Sequence, residues 1–300
     1  MMNFEEFKAW VKKNITSKDW KETSQVEISV VKKNNGVSKA GLFIRESGQD
    51  VSPILYLDDY YIHYQNGELL ENVIKKIRDD YNEKVQMAAV KIPNLQEFEN
   101  VRGKIIYRLV NYEKNKELLE DCPHRRLHDL AVTFRWVAHI DNDGVSTSLI
   151  TNRQVKEWGI TVNDLVLAAQ QNTPRLFPAK IIDMEEMLAG KVSFILYPSA
   201  IPMYILTNEQ EVNGASALLY GDVLKDFANK KGTDMYILPS SIHEVILLPS
   251  DRINDPTKLL SMVHDANTTV VSIGDVLSDS VYYYDRKTDH ITEIVSDEKM

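Results

Sequence analysis

The sequence predicts an α+β protein with mostly antiparallel sheets, helices packed on one face, and two subdomains. Three observations predict it. Apolar residues recur at helical spacing in several segments and at strand spacing in others. Asn34-Asn35-Gly36 and Asp141-Asn142-Asp143-Gly144 are turn sequences of the hairpin kind, each between two strand-like runs. The C-terminal third reads strand-strand-helix-strand-strand-helix-strand, an order that builds an antiparallel sheet with helices against it.

The elements follow in order. Phe4, Phe7, Trp10, Val11 and Ile15 mark a short amphipathic helix with lysines on its far side. Val26-Glu-Ile28-Ser-Val30 alternates as a half-buried strand does, and Leu42-Phe43-Ile44 returns after the Asn-Asn-Gly turn. Tyr56 to Gln65 is expected to be helical, with Asn66-Gly67 breaking it. Leu69, Leu70, Val73, Ile74, Ile77 and Tyr81 then predict a longer helix ending near Asn82. Pro93 to Asn100 is expected to be partly helical, and Ile105 to Asn111 to be a strand.

Leu130 to Ile140 and Val145 to Ile150 form the second expected hairpin. Thr151 with Gln154, and Thr161 with Asp164, have the spacing of capping boxes, so two helices start there with Gly159 between them. Further on, Met203 to Thr207, Ala217 to Tyr220, Met235 to Leu238, Val245 to Leu248, Val270-Val271, Val281 to Tyr284 and Ile291 to Ile294 are expected to supply β structure. Asp222 to Lys231 is a helix with an acidic start, a basic end and Gly232 as its stop. Asp255 caps another, with Pro256 at its first position and its end near Ala266. The polar stretch Asn111 to Asp121, followed by Cys122-Pro123, suggests a boundary. The expected domains are 1–121 and 122–300.

Composition narrows function by exclusion. The net charge is −9, the wrong sign for a phosphate backbone, so nucleic acid is a disfavoured partner. One cysteine, Cys122, precludes an internal disulfide and fits a reducing compartment. Charge falls where a leader peptide needs an apolar stretch, and no apolar run reaches the roughly 20 residues of a membrane helix. A cytoplasmic protein without a membrane is the expectation.

Among the N-terminal residues, Val30-Val-Lys-Lys-Asn-Asn-Gly-Val37, Gly41-Leu42, Ser52-Pro53-Ile-Leu-Tyr-Leu-Asp58, Tyr60, Tyr61 and Tyr64-Gln-Asn-Gly67 form a recognisable set. They resemble a domain-of-unknown-function family found in many anaerobic, gut-associated Firmicutes, and the resemblance covers most of the chain. The C-terminal half is more distantly similar to the uncharacterised YtpQ-like family. That likeness rests on Trp158-Gly-Ile-Thr161, Leu206-Thr-Asn208 with Gly214, Met235-Tyr-Ile-Leu-Pro239 and His243-Glu-Val-Ile-Leu247. These resemblances imply a fold and a host type, and no catalytic residues.

Motifs of specific chemistry fail at nameable positions. The Asp141–Gly144 loop, read as a calcium loop, puts Ile150 where a bidentate Glu is required. His124 and His128 lack the Glu and the third ligand of a zinc helix. No nucleophile elbow, phosphate loop or dinucleotide turn occurs, and Cys122 beside His124 is adjacency rather than a nucleophile–base pair. His243-Glu244 and His264-Asp265 are sequence neighbours that point to different faces. No metal, cofactor or catalytic set is expected.

Two constellations remain. His124-Arg125-Arg126-Leu-His128-Asp129 is the densest basic segment. With Arg102, Lys104 and Arg108 nearby in sequence, it is a candidate phosphate or acidic-ligand site through Arg125, Arg126, His128 and Asp129, against the plain reading of a solvated or ion-paired segment before a strand. Tyr56, Tyr60 and Tyr64 share one helical face and are candidate protein-interface residues, against the plain reading of a core stripe packed on the N-terminal helix. The leading expectation is a non-enzymatic binding or scaffold protein that self-associates or takes a protein partner. The alternatives are an enzyme or nucleotide/phosphate sensor using the basic segment, and a nucleic-acid-associated regulator.

Overall fold

A computed structural model describes residues 1–15, 25–45, 53–88, 95–141, 144–189 and 201–294. The chain divides into two compact units, Met1–Pro93 and Asn94–Met300.

In the first unit, α1 (Phe4–Ile15) precedes β1 (Gln25–Lys32) and β2 (Ser38–Arg45), which pair antiparallel along their full length. Asn35 and Gly36 between them both take positive φ, the backbone that Asn and Gly adopt at least cost. A short strand β3 (Ile54–Tyr56), not expected from sequence, adds to β2 and runs directly into α2 (Leu57–Gln65). Gly67 at φ +93 then turns the chain into α3 (Leu70–Ala88), which continues six residues beyond its expected end. Period two puts Ala40, Leu42 and Ile44 of β2 on one face, where they join Phe7, Val11 and Ile15 of α1, Leu57 and Tyr60 of α2, and Val73, Ile77 and Tyr81 of α3. The helices therefore cover one face of this sheet. The buried Tyr81 hydroxyl is satisfied by the Ile44 carbonyl at 3.1 Å.

The second unit holds two antiparallel sheets. After α4 (Phe98–Arg102), β4 (Ile105–Asn111) lies along β6 (Leu130–Asp141). The other side of β6 is shared: β5 (His124–Leu127) pairs with its first third, and β7 (Gly144–Leu149) with the rest. β6 and β7 form the expected hairpin, closing at Asp141 and Gly144; the turn residues 142–143 lie outside the described residues, as do Pro93 and Asn94 of the stretch expected to be partly helical. Between β4 and β5 stands α5 (Lys116–Glu120). Sequence places a boundary in this region, whereas the division falls after Pro93, because β4 is hydrogen-bonded along its whole length to β6.

Helices α6 (Asn152–Trp158) and α7 (Val162–Leu176) start at Thr151 and Thr161 with both reciprocal hydrogen bonds of a capping box, and Gly159 ends α6 in the left-handed conformation. Here local chemistry alone set the boundaries.

The second sheet has the order β13-β12-β10-β11-β9-β8. β8 (Ala179–Asp183), followed by α8 (Met184–Ala189), pairs with β9 (Tyr204–Asn208). Next come α9 (Val223–Lys231), β10 (Met235–Leu238), β11 (Val245–Pro249), α10 (Thr257–Thr269), β12 (Val281–Asp285) and β13 (His290–Ile294). Leu259 and Val263 of α10 pack on Leu238, Leu248 and Val281 of the sheet.

Two expected strands are corrected. Ala217 to Leu219 lies in a 3-10 helix, Gly214–Leu219, whose first five residues are all buried, and Tyr220 is its C-cap. Val270-Val271 is the end of α10, which runs to Thr269 and leaves Val270 82% exposed as its C-cap. An apolar β-branched pair reads as strand, but neither segment has a strand beside it to complete a ladder. Among the described residues, no helix is long and apolar enough to cross a membrane.

Candidate anion-binding site

Strand β4 reads Ile105-Ile-Tyr-Arg-Leu-Val-Asn111, a buried strand with a single cation in it. It is an edge strand, and its outward amides are capped by side chains rather than by another strand. Thr173 Oγ1 of α7 accepts from the Tyr107 amide, and Ser216 Oγ of the 3-10 helix accepts from the Leu109 amide, both at 3.2 Å. Those hydroxyls close the edge to further pairing and bring α7 and the Asn213–Gly214 turn alongside β4.

Register then brings two arginines together. Arg108 lies opposite Thr133, and Arg135, two residues further along β6, lies opposite Ile106. Both side chains leave the same face on a cross-strand diagonal. Arg135 is anchored: its Nε donates to Thr147 Oγ1 at 2.7 Å and its Nη2 to the Thr147 carbonyl at 3.3 Å. The side chain of Arg108 is not. Its Nε is buried with no hydrogen-bond partner, and its guanidinium makes no ion pair with any described residue. Burial pushes the Arg108 guanidinium down to about 10, the charge of Arg135 acts in the same direction, and Asp275 opposes both. It stays cationic at neutral pH.

Arg108 and Arg135 line a recess whose other walls include Ile106, Val145, Phe177 and Val212, with Tyr107 and Tyr220. The recess is small and open to solvent, and it admits about one water-sized group. The Tyr107 hydroxyl is a second buried group without a partner, while Tyr220 donates to the Phe177 carbonyl at 2.8 Å. Burial holds both phenols above their usual range, so each stays protonated.

Asn213, in the left-handed conformation, is part of the wall. Its amide donates to His243 Nδ1 at 3.4 Å, and His243 Nε2 faces Asp275 Oδ1 at 3.5 Å. With Nδ1 accepting, the neutral ring carries its proton on Nε2, toward the carboxylate. Ser272 Oγ donates to the other Asp275 oxygen at 2.5 Å. Both ring nitrogens of His243 are therefore engaged in positioning the wall.

The residues singled out by sequence lie elsewhere; none of them lines this recess. Arg125 and Arg126, successive on β5, diverge: Arg125 donates to Asn163 Oδ1, and Arg126 donates to the His128 carbonyl while covering the Tyr112 ring at 4.4 Å. His128 takes positive φ in the β5–β6 turn. Asp129 accepts hydrogen bonds from Ser278 Oγ at 2.6 Å and from the Tyr282 hydroxyl, tying that turn to β12. Burial first, and the Asp129 carboxylate second, raise the Tyr282 phenol well above its usual range. Tyr282→Phe is expected to cost about 1.5–3 kcal/mol, the value of a hydrogen bond to a charged group, read as a lower denaturation midpoint in urea. An unchanged midpoint would mean that the tie does not hold the turn.

The tyrosines are engaged within the first unit. Tyr60 is 7% exposed and donates to Asp80 Oδ2 at 2.6 Å. Tyr64 stacks on Phe7 of α1, its hydroxyl accepting from the Met2 amide, and Lys33 Nζ lies 3.9 Å from the centre of the Tyr56 ring. Cys122 is buried, which pushes its thiol up to about 11 and leaves it unreactive. Among the described residues, no group of three or more His, Cys, Asp or Glu side chains is placed to hold a metal ion.

Sequence reasoning touches Arg108 only as a neighbour of the basic segment and misses Arg135, Tyr107, Asn213 and Asp275. One signal is present: each arginine is a lone charge inside an otherwise apolar strand, Ile-Tyr-Arg-Leu-Val and Thr-Phe-Arg-Trp-Val. Burying a charge is costly, so such a residue carries more information than one in a charged run.

Fold and recess define a class: an antiparallel α+β protein of two units, the second holding a small recess lined by a half-buried arginine. The chain belongs to a family of unknown function (DUF5688), whose model matches residues 4–286. No curated protein and no solved structure matches it.

Proposed function

We propose that the second unit is a binding module that seats the anionic end group of a small molecule on Arg108. One observation carries this reading: a half-buried arginine whose Nε is buried with no hydrogen-bond partner stands beside a second arginine. A buried N–H donor left unmet costs about 1–3 kcal/mol, and an anion accepting from it removes that cost. The reading keeps the expectation of a non-enzymatic binding protein. It moves the basic site from Arg125–Asp129 to Arg108 and Arg135. The engaged ring nitrogens of His243 favour binding over proton transfer.

The test is thermal denaturation of the full chain at low ionic strength with added acetate, phosphate or sulfate, compared with Arg108→Gln. At least one anion is expected to stabilise the wild type and leave the variant unmoved. Equal responses in the two proteins, or none in either, would reject the site.

A further inference from the structure

We propose that the outer edge of β1 is a self-association surface, on which a second copy of this chain adds its own β1 antiparallel about a two-fold axis.

The edge is open. β1 is the outermost strand of its sheet and, among the described residues, the longest edge strand. The Lys33 amide donates to the Val37 carbonyl at 2.7 Å, continuing the register that pairs Lys32 with Ser38. Bonding in an antiparallel pair alternates, so the odd-numbered residues of β1 bond to β2, and Val26, Ile28 and Val30 turn their amides and carbonyls outward. Among the described residues, nothing bonds to those outward groups. The edge of β4 is closed by the Thr173 and Ser216 hydroxyls. β1 has no such cap, and no proline, glycine or bulge interrupts it.

The two faces beside the edge differ. Val26 and Ile28 pack on the helix-covered core, while Val30, on the same face, is 69% exposed. On the other face, the Glu27 carboxylate meets no cation among the described residues. The Lys33 ammonium lies against the Tyr56 ring and meets no carboxylate there.

These groups select a second copy. A two-fold axis normal to the sheet reverses strand direction and keeps each face on its own side, so odd residues pair with odd and even with even. With the axis at Val30, each Val30 exchanges hydrogen bonds with its counterpart, and Glu27 falls opposite Lys33 of the other copy on both sides. Axes at Ser29, Ile28 or Glu27 leave Glu27 opposite Val31, Ser29 or Glu27 instead. Charge therefore selects the register centred on Val30, with Lys33 rotating its flexible stem off the Tyr56 ring. The same register covers Val30, the most exposed apolar residue of the strand. A ladder of this length is a small interface, so the expected affinity is weak, in the micromolar to millimolar range.

Sedimentation velocity of the full chain at rising concentration tests this. A monomer–dimer equilibrium is expected. Glu27→Lys, which sets lysine opposite Lys33, is expected to weaken it about tenfold. Adding Lys33→Glu restores opposite charges with their positions exchanged and is expected to recover the dimer. Val30→Pro removes an outward amide while leaving the bonds to β2, and Val30→Lys puts like charges at the axis. Each is expected to give a monomer, with an unchanged urea midpoint showing that the unit stays folded. A monomer of the wild type at every concentration overturns the inference. So does a dimer that neither Val30 variant weakens, one that the charge exchange fails to recover, or a species that grows past the dimer. A wild-type monomer that instead binds an alternating threonine–valine peptide, and loses it on Val30→Pro, overturns the second copy and assigns the edge to a foreign strand.

Discussion

Arg108→Met is expected to raise the unfolding temperature of the second unit and abolish its response to anions. Most core substitutions destabilise, so the sign is the informative part. Methionine keeps an unbranched stem on the same face of β4 while removing the charge, the orphaned Nε and the repulsion from Arg135. Replacing a buried ionic group by an apolar one of similar volume is stabilising by about 1–4 kcal/mol in favourable cases. For a unit of this size that corresponds to roughly 2–4 °C per kcal/mol. Differential scanning calorimetry of the two proteins reads it directly, with ligand titration alongside. A variant clearly less stable than the wild type would show that Arg108 serves the fold rather than a ligand.

Gly214→Ala should be the most damaging small change in the second unit. A Cβ there would run into Thr207 Oγ1 and lie 2.5 Å from the His243 carbonyl oxygen and 2.8 Å from the Asn208 amide nitrogen. Two of those three atoms are backbone in β9 and the loop before β11, and they cannot rotate away. Overpacking of this kind costs about 3 kcal/mol, read as a drop in the denaturant midpoint. Adding Thr207→Ala removes the nearest contact but leaves the two backbone ones, so the double variant should recover only part of the loss. Full recovery would place the clash on the threonine alone. Because Asn213 precedes Gly214 and His243 holds it, anion affinity should fall with stability in the single variant.

Much of the local architecture is legible in residue order. The helix over Phe4–Ile15, both hairpins and the two capping boxes depend on interactions within a few residues, and neighbours in the chain supply both partners of each. The short strands β3, β5 and β8 are not legible in this way. A strand such as His124–Leu127 has no apolar alternation of its own and exists because β6 offers it a ladder. Gly214–Leu219 misleads for the converse reason: its apolar residues are buried by neighbours distant in sequence, so burial mimics strand propensity.

The candidate site shows the same division. Residue order alone identifies Arg108 as a cation in an apolar strand and the basic segment as a cation-rich one, and a charge count favours the second. Only the tertiary structure decides between them. Exposed charges on β5 find side-chain, carbonyl and aromatic partners at little cost, whereas strand register and the capped edge of β4 set Arg108 beside Arg135 with its Nε buried and unmet. Sequence states which groups are present, but their desolvation, which sets the energy of a charge, depends on what the fold packs around them.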